Sequence, residues 1–478
     1  MSYKATIGLE VHAELKTNTK MFCNSKNDAH EAKPNVNICP VCLAHPGTLP
    51  VINKQAVHHV LRVGVALGAK LADYTEFDRK NYFYPDLPKG YQISQYEFPL
   101  ISGGKLAGID ITRIHLEEDT ASSIHDSQTG ATLVDFNRSG MPLMELVTEP
   151  VIHTAEEAGK FGRELQLLLR YLDASDADME QGQMRLEANI SISDTDTLGT
   201  KVEVKNINSF RAMERAVAYE IKRQTELLSK GEKVVQETRG WDDVKQVTFS
   251  QRVKEVAADY RYFPDPDLPS LMLSEIEEFS RDALAATLPE LPDQRRARYA
   301  SWGIKAADAE QFVQYPRIAG FFDAVAETKT GDAAFAQRAA NYIANDLVSI
   351  IRGTDKRETE LSAEIPISVT HFAKIIDLTA AGRVSSRVAK DLLVMAIAEK
   401  RDPEAIAEEH KLFQSSNAAD LGPVIQKILS ENASVVADYK AGKEAALQFL
   451  IGQAMRVLKG AADPATLRSS LQEEIAKL

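Results

Sequence analysis

Ala5-Thr6-Ile7-Gly8-Leu9-Glu10-Val11-His12-Ala13-Glu14-Leu15-Lys16 decides the fold class. Ile7, Leu9, Val11 and Ala13 fall on one face of an extended chain, and Gly8, Glu10, His12 and Glu14 on the other. That period of two belongs to a strand with one buried face. Similar alternation recurs at Ile109–Glu118, Met184–Ser193 and residues 132–136, 143–147 and 201–204. Between the strands, residues 155–172 carry an apolar stripe of helical period. Ser209 is placed to cap a helix running to Lys230, with Gly231 at its stop. The expected class is α+β, with an N-terminal domain over residues 1–292 built on an antiparallel sheet.

Past Leu288-Pro289-Glu290-Leu291-Pro292 the alternation vanishes, and Ala, Glu, Lys, Arg and Leu dominate. A helical domain is expected over residues 293–403. Arg401-Asp402-Pro403 breaks it from a small helical tail, 404–478, which Gly442, Gly452, Gly460 and Pro464 cut into short helices. The whole chain has 478 residues, 44% of them hydrophobic, which suits several globular domains and excludes disorder over most of its length. Three cysteines make no disulfide framework and point to the reducing cytoplasm. No apolar run is long enough to span a membrane, and Met1-Ser2-Tyr3-Lys4 leads straight into a strand rather than a signal peptide. The net charge of −13 argues against a nonspecific nucleic-acid coat, though not against a local basic surface.

Two loops combine aromatics with prolines: residues 81–91, Asn-Tyr-Phe-Tyr-Pro-Asp-Leu-Pro-Lys-Gly-Tyr, and 260–269, Tyr-Arg-Tyr-Phe-Pro-Asp-Pro-Asp-Leu-Pro. Such proline density precludes a regular helix or a central strand. Their likeness reads as shared turn chemistry, not as a repeat. Tyr82, Phe83 and Tyr84 read as core or interface rather than as a base-stacking platform.

The polar faces of the strands carry the chemistry. Glu10, His12 and Glu14 share one face; Arg185, Glu187, Asn189 and Ser191 share another; Lys201, Glu203 and Lys205 make a third set. Glu145 lies between Leu143 and Val147, and His115-Leu116-Glu117-Glu118-Asp119 ends a strand in three carboxylates. Any one of these faces would serve as the solvated side of an antiparallel sheet. Together they offer oxygen ligands for Mg²⁺ beside cations for phosphate, the parts of a magnesium–nucleotide site. Arg185 and Lys205, with Glu187 beside them, are the candidates for nucleotide contact. No phosphate-binding Gly-x-x-x-x-Gly-Lys-Ser/Thr loop and no dinucleotide Gly-x-Gly-x-x-Gly occurs. Cys23, Cys39 and Cys42 have zinc-type spacing, with His30 or His45 as a fourth ligand; the alternative is a lost site whose loop is held by packing.

Longer runs carry a family resemblance. Ile7-Gly8-Leu9-Glu10-Val11-His12-Ala13-Glu14-Leu15, Phe77-Asp78-Arg79-Lys80-Asn81-Tyr82-Phe83-Tyr84-Pro85-Asp86, His115-Leu116-Glu117-Glu118-Asp119 and Met141-Pro142-Leu143-Met144-Glu145 resemble the B subunits of the aspartyl/glutamyl-tRNA(Asn/Gln) amidotransferases. So do Glu187-Ala188-Asn189-Ile190-Ser191, Lys205-Asn206-Ile207-Asn208-Ser209-Phe210, Asp259-Tyr260-Arg261-Tyr262-Phe263-Pro264 and, in the tail, Asp438-Tyr439-Lys440-Ala441-Gly442-Lys443 and Phe449-Leu450-Ile451-Gly452-Gln453-Ala454-Met455. The resemblance runs the whole length.

It implies a cradle domain similar to those of glutamine synthetase and guanido kinases, and a tail of the YqeY kind. It also implies a heterotrimer whose other members are an amidase (the A subunit) and a small C subunit. The amidase frees ammonia from glutamine. The B subunit uses ATP and Mg²⁺ to phosphorylate the side-chain carboxylate of Glu on tRNA(Gln), or Asp on tRNA(Asn), and ammonia displaces the phosphate. Glu10, His12 and Glu118 resemble the family's Mg²⁺ ligands, with Glu117, Glu145 and Glu187 as further candidates. Lys80, Lys89 and Tyr82 resemble residues that line the ammonia path and face the reacting carboxylate. Members with zinc have Cys-x-Cys where this chain has Cys23-Asn24-Ser25, so Ser25 departs from the zinc pattern. Lys440, Lys443, Arg456, Lys459 and Arg468, with Ser385-Ser386-Arg387, resemble a region that grips the outer corner of tRNA; solvated helix faces would look the same by charge. Two other functions fit the residues: a stand-alone ATP-dependent carboxylate–amine ligase on a small metabolite, and a non-catalytic tRNA-binding scaffold.

Overall fold

Alternation along the opening strand is realised side chain by side chain: Ile7, Leu9, Val11 and Ala13 are fully buried, while Glu10 and His12 are half-buried on the other face. The structure is a computed structural model that describes residues 3–253, 260–353, 364–414, 418–458 and 464–478. It divides into two units, Met1–Pro292 and Asp293–Leu478. The strands that frame the site are, in chain order, β1 (Lys4–Glu14), β2 (Asp78–Asn81), β3 (Tyr91–Ser94), β4 (Ile109–Glu118), β5 (Pro142–Thr148), β6 (Met184–Ser193), β7 (Val202–Ile207), β8 (Glu237–Asp242), β9 (Val247–Val253) and β10 (Phe263–Pro264).

β1 lies inside a ten-stranded sheet with β5 on one side and β6 on the other, both antiparallel; β4 follows β5, and β7, β8 and β9 follow β6. On the apolar face, helices α1 (Ala155–Tyr171) and α2 (Phe210–Ser229) cover the sheet. Thr154 and Glu157 form a reciprocal capping box that starts α1. The Ser209 hydroxyl accepts from the Ala212 N–H to start α2, which ends at Lys230 with Gly231 in the left-handed region. The approach is close: a Cβ on Gly162 would stand 2.8 Å from Leu186 Cδ2 and 2.9 Å from the Phe210 ring. Each large apolar side chain of β1 buried there is worth about 1.5–3 kcal/mol.

Over the polar face runs a smaller sheet in the order β10-β2-β3. The two aromatic–proline loops are therefore physical neighbours. Phe263 pairs with Arg79, Pro264 with Asp78, and both the backbone N–H and the side-chain amide of Asn81 donate to the Tyr260 carbonyl. Pro264 sits on the outer strand, where its missing N–H is tolerated. Asp259, which opens the second motif, lies outside the described residues.

Local departures have simple causes. Residues 132–136 do form a strand, Thr132–Asp135, but it pairs only with Ser122–His125 in a separate hairpin. Lys201 precedes β7 and is exposed; the register shifts between Leu186 and Ala188, and Asn206 adopts φ +62°.

The second unit is helical. Tyr299, Phe312 and Phe322 pack edge to face and tilted in its core. A separate apolar cluster forms over Leu421, Ile425, Leu447, Leu450, Leu467 and Leu471. Ser385 caps the helix Ser386–Glu399. Lys440, Lys443, Arg456, Arg468 and Arg387 are exposed, and Lys459 lies outside the described residues. Among the described residues no helix is long and apolar enough to cross a membrane.

Candidate active site

Sheet register assembles the central cluster. His12 on β1 stands opposite Glu145 on β5 and Arg185 on β6, and Glu145 stands opposite His115 on β4. Glu10 and Glu117 lie one step to either side on the same face. A slip of one residue would move this whole set to the helix-covered face.

The resulting distances are short. His12 Nε2 lies 3.4 Å from Glu145, 3.5 Å from Glu117 and 3.8 Å from Glu10, and His115 Nε2 lies 3.5 Å from Glu145. Ligating atoms of Glu10, His12 and Glu145, and of His115, Glu117 and Glu145, converge within 4.8 Å in each set. Burial and the neighbouring Glu145 carboxylate push Glu10 up to about 7. Burial lowers His12, but its hydrogen bonds to Glu117 and Glu145 outweigh that and hold it well above the usual range. Burial likewise opposes ionisation of Glu117 and Glu145, yet Lys80 for the first and His115 for the second keep both below ordinary carboxylates. Lys80 comes from β2 across the cluster. Burial pulls it down, and the Glu117 and Glu145 carboxylates more than restore it, so it remains a cation. Three crowded carboxylates that repel one another, with oxygens converging on one space, form a donor set that fits a divalent cation such as Mg²⁺.

Glu118 belongs to a different group. Its carboxylate lies 2.6 Å from Lys89 and accepts the Ile93 N–H at 2.9 Å. The Gln92 amide donates to the Glu118 carbonyl, and the Tyr82 hydroxyl lies 3.0 Å from Gln92 Oε1. Lys89, Glu118 and Tyr82 are thus one connected set, separate from Glu10 and His12.

The cations of β6 and β7 are also engaged. Arg185 lies 2.9 Å from the buried Asp119, with Arg138 at 3.4 Å on the same carboxylate. Lys205 bridges Glu187 at 2.7 Å and Glu203 at 3.7 Å. Burial and the Asp119 charge push Glu14 up to about 7. Arg138 is a site residue that the sequence reading does not name, and His115 and Asp119 appear there only within an acidic run, with no role of their own. His115 carries a usable signal, because it lies two residues from Glu117 and so shares its face.

The three thiols gather as well. Cys23, Cys39 and Cys42 sulfurs all lie within 4.8 Å of one another, and Cys39 and Cys42 are 3.8 Å apart. Tetrahedral bonds of about 2.3 Å to zinc would give an edge of about 3.8 Å, so the set fits that ion. Ser25 Oγ lies 3.8 Å from Cys42 Sγ, and the fully buried Lys20 ammonium lies 3.9 Å from it, a cation placed to balance sulfur charge. Neither His30 nor His45 joins the group; His30 lines a wider cavity with Glu14 and Lys16. A cavity of about 210 Å³ is lined by Cys23, Cys42 and His45 together with Lys89 and Glu118. Gly140, at φ +82°, separates the two groups: a Cβ there would be 3.5 Å from Cys42 Cβ and 3.8 Å from a Glu118 oxygen.

Of the aromatic trio, Tyr82 is half-buried, but Phe83 is 79% and Tyr84 57% exposed, so these two are not core.

Comparison with known proteins agrees along the whole chain. A family profile described as the GatB/GatE catalytic domain matches residues 5–277, and one described as the GatB domain matches residues 321–475. The B subunit of the aspartyl/glutamyl-tRNA(Asn/Gln) amidotransferase of Carboxydothermus hydrogenoformans is 42% identical over 100% of this chain and 99% of that protein. The proteins of the same name from Thermomicrobium roseum and Thermus thermophilus are each 44% identical over 99% of both chains.

Proposed function

We propose how the site works from the premise that this chain belongs to the family of aspartyl/glutamyl-tRNA(Asn/Gln) amidotransferase B subunits. The role is that of the transamidase component of a glutamine-dependent ligase. The observation that carries it is full-length identity of 42–44% to proteins of that name. The reaction converts Glu-tRNA(Gln) to Gln-tRNA(Gln), Asp-tRNA(Asn) to Asn-tRNA(Asn), or both, in the cytoplasm, within a heterotrimer completed by the amidase and the small C subunit.

A carboxylate is a poor acylating agent, so the side-chain oxygen of the aminoacyl group attacks the γ-phosphorus of ATP and ADP leaves. Ammonia then adds to the acyl carbon and phosphate departs, leaving the amide. Glu10, His12, Glu117 and Glu145, with His115 beside them, would hold Mg²⁺, and the ion would supply positive charge against the phosphate oxygens. Lys80 stays cationic and draws the substrate carboxylate to this face. Lys205 and Arg185 exchange their present carboxylate partners, Glu187 and Asp119, for phosphate oxygens. Lys89, Glu118 and Tyr82 line the approach of ammonia, which must arrive unprotonated and shielded from water.

Cys23, Cys39 and Cys42 would hold zinc, which would stiffen the loop behind Glu118 and supply no chemistry to the reaction. The chain works as a cradle domain over 1–292, a helical domain over 293–403 and a YqeY-like tail over 404–478, the division falling shortly before the separate apolar cluster that begins at Leu421. The exposed cations of the last two parts hold the outer corner of the tRNA. The test is co-purification with neighbouring gene products, then amidation of Glu-tRNA and Asp-tRNA measured in parallel. ATP hydrolysis stimulated by a free amino acid alone would overturn the reading.

A further inference from the structure

The motif around Tyr260 and Tyr262 has no part in the chemistry described so far, yet it carries a continuous row of rings. Tyr84 packs on Tyr82 at 5.9 Å between centroids, Tyr82 on Tyr260 at 6.0 Å, and Tyr260 on Tyr262 at 6.1 Å. Tyr262 stacks on Tyr96 at 4.5 Å, with 15° between the planes. The middle of the row faces the reacting centre, because Lys80 Nζ stands 5.2 Å over the Tyr260 ring. Both ends reach the surface: Tyr84 is 57% and Tyr96 60% exposed, and Tyr260 between them is 38% exposed.

Rings this exposed gain nothing for folding, and a contiguous exposed patch of them marks a binding surface. Every member is a tyrosine. The exposed ones, Tyr84, Tyr96 and Tyr260, offer ring surface to a flat apolar group and a hydroxyl to a polar backbone, the pairing that suits unpaired nucleotides better than a protein helix. The substrate's own connectivity supplies the occupant. On the reading that the chain amidates an aminoacyl-tRNA, the amino acid is esterified to the last ribose of the 3′ end. Its side-chain carboxylate must reach Lys80, so the terminal nucleoside is brought within one amino-acid length of Tyr260. We propose that the exposed rings of this row, Tyr84, Tyr260 and Tyr96, with Tyr82 and Tyr262 packed between them, are the surface on which the unpaired 3′-terminal nucleotides of the aminoacylated tRNA stack. The proposal rests on the tRNA reading above and adds to it the surface that guides the reacting end.

The test uses the full chain, expressed with its partner subunits, and tRNA carrying a fluorescent adenine analogue as its last base. Stacking should quench the fluorophore on binding. Tyr84→Leu and Tyr96→Leu should relieve the quenching and raise both Kd for tRNA and KM for aminoacyl-tRNA roughly 5- to 100-fold per ring, the size of one stacked base. Tyr96→Phe should rescue both, since the π-face is kept, and KM for ATP should not follow the same rise. Wild-type protein that binds tRNA no more tightly than the Leu variants, and with the same quenching, would overturn the proposal. So would a rise in KM for ATP alone, which would make the row an adenine site for the nucleotide. If wild-type protein shows no tRNA-dependent ATP hydrolysis and no tRNA binding, the amidotransferase reading itself fails and the proposal falls with it.

Discussion

Glu117 and Glu118 are adjacent in sequence and serve two separate groups: Glu117 meets His12 at 3.5 Å, whereas Glu118 meets Lys89 at 2.6 Å. Successive side chains of a strand leave opposite faces, so one peptide unit divides the histidine–carboxylate cluster proposed to hold Mg²⁺ from the lysine pair. The two neighbours should fail differently. Glu117→Gln should raise the Mg²⁺ concentration needed for half-maximal aminoacyl-tRNA-dependent ATP hydrolysis by roughly tenfold or more. Glu118→Gln should leave that requirement in place and lower amide formation roughly 10²-fold. A magnesium titration of both variants checks the split.

Lys205 pairs with Glu187 at 2.7 Å, and the phosphate contact proposed for it gives a separate expectation. Lys205→Met removes one charge-assisted hydrogen bond and should raise KM for ATP roughly 10- to 100-fold while the Kd for tRNA stays put. Steady-state kinetics at saturating tRNA reads the first quantity, and filter binding the second.

The thiol group should bind one zinc per chain through three sulfurs. Metal analysis of chain purified without chelator should find it, and Cys42→Ser should bring zinc to background. Ser25→Cys, which adds a fourth thiolate 3.8 Å from Cys42 Sγ at the present hydroxyl, should slow zinc release to a chelator about tenfold or more. Zinc-free wild-type protein with an unchanged melting temperature would remove the metal from the loop.

Acid stability should depend on the Glu237 carboxylate of β8. Burial opposes ionisation of Glu237, but the Ser250 hydroxyl and the Arg239 guanidinium hold it below the ordinary range. A depressed folded pKa stabilises the protein above the unfolded value of about 4.5 and is lost as pH falls through the folded one. Glu237→Gln should therefore lower stability by roughly 1–3 kcal/mol at pH 7 and by much less near pH 3, as measured by urea unfolding.

Legibility in the sequence follows the range of the interaction. Period-two alternation is local, and it exposes β1, β4 and β6 with their polar faces. The helix cap at Ser209 is local too. Parity along β4 also separates Glu117 from Glu118, although the resemblance groups Glu118 with Glu10 and His12. What escapes depends on distant pairing. Nothing near Tyr260 announces that Phe263 will pair with Arg79, so likeness of the two proline loops reads as coincidence rather than contact. The register shift between Leu186 and Ala188, opposite which Asn206 turns to a positive φ, belongs to the pairing of β6 with β7 and is not legible in either strand alone. His115 escapes when it is read as part of an acidic run rather than as one face of a strand.

β1 is the first strand of its sheet to be synthesised and one of the most enclosed, flanked by β5 and β6 on its two edges. At about 5–20 residues per second, roughly 10–35 s separate its emergence from that of β6. Until β5 emerges, Ile7, Leu9 and Val11 stand on a strand with two open edges, and until β6 emerges one edge stays unpaired, a template for non-native pairing.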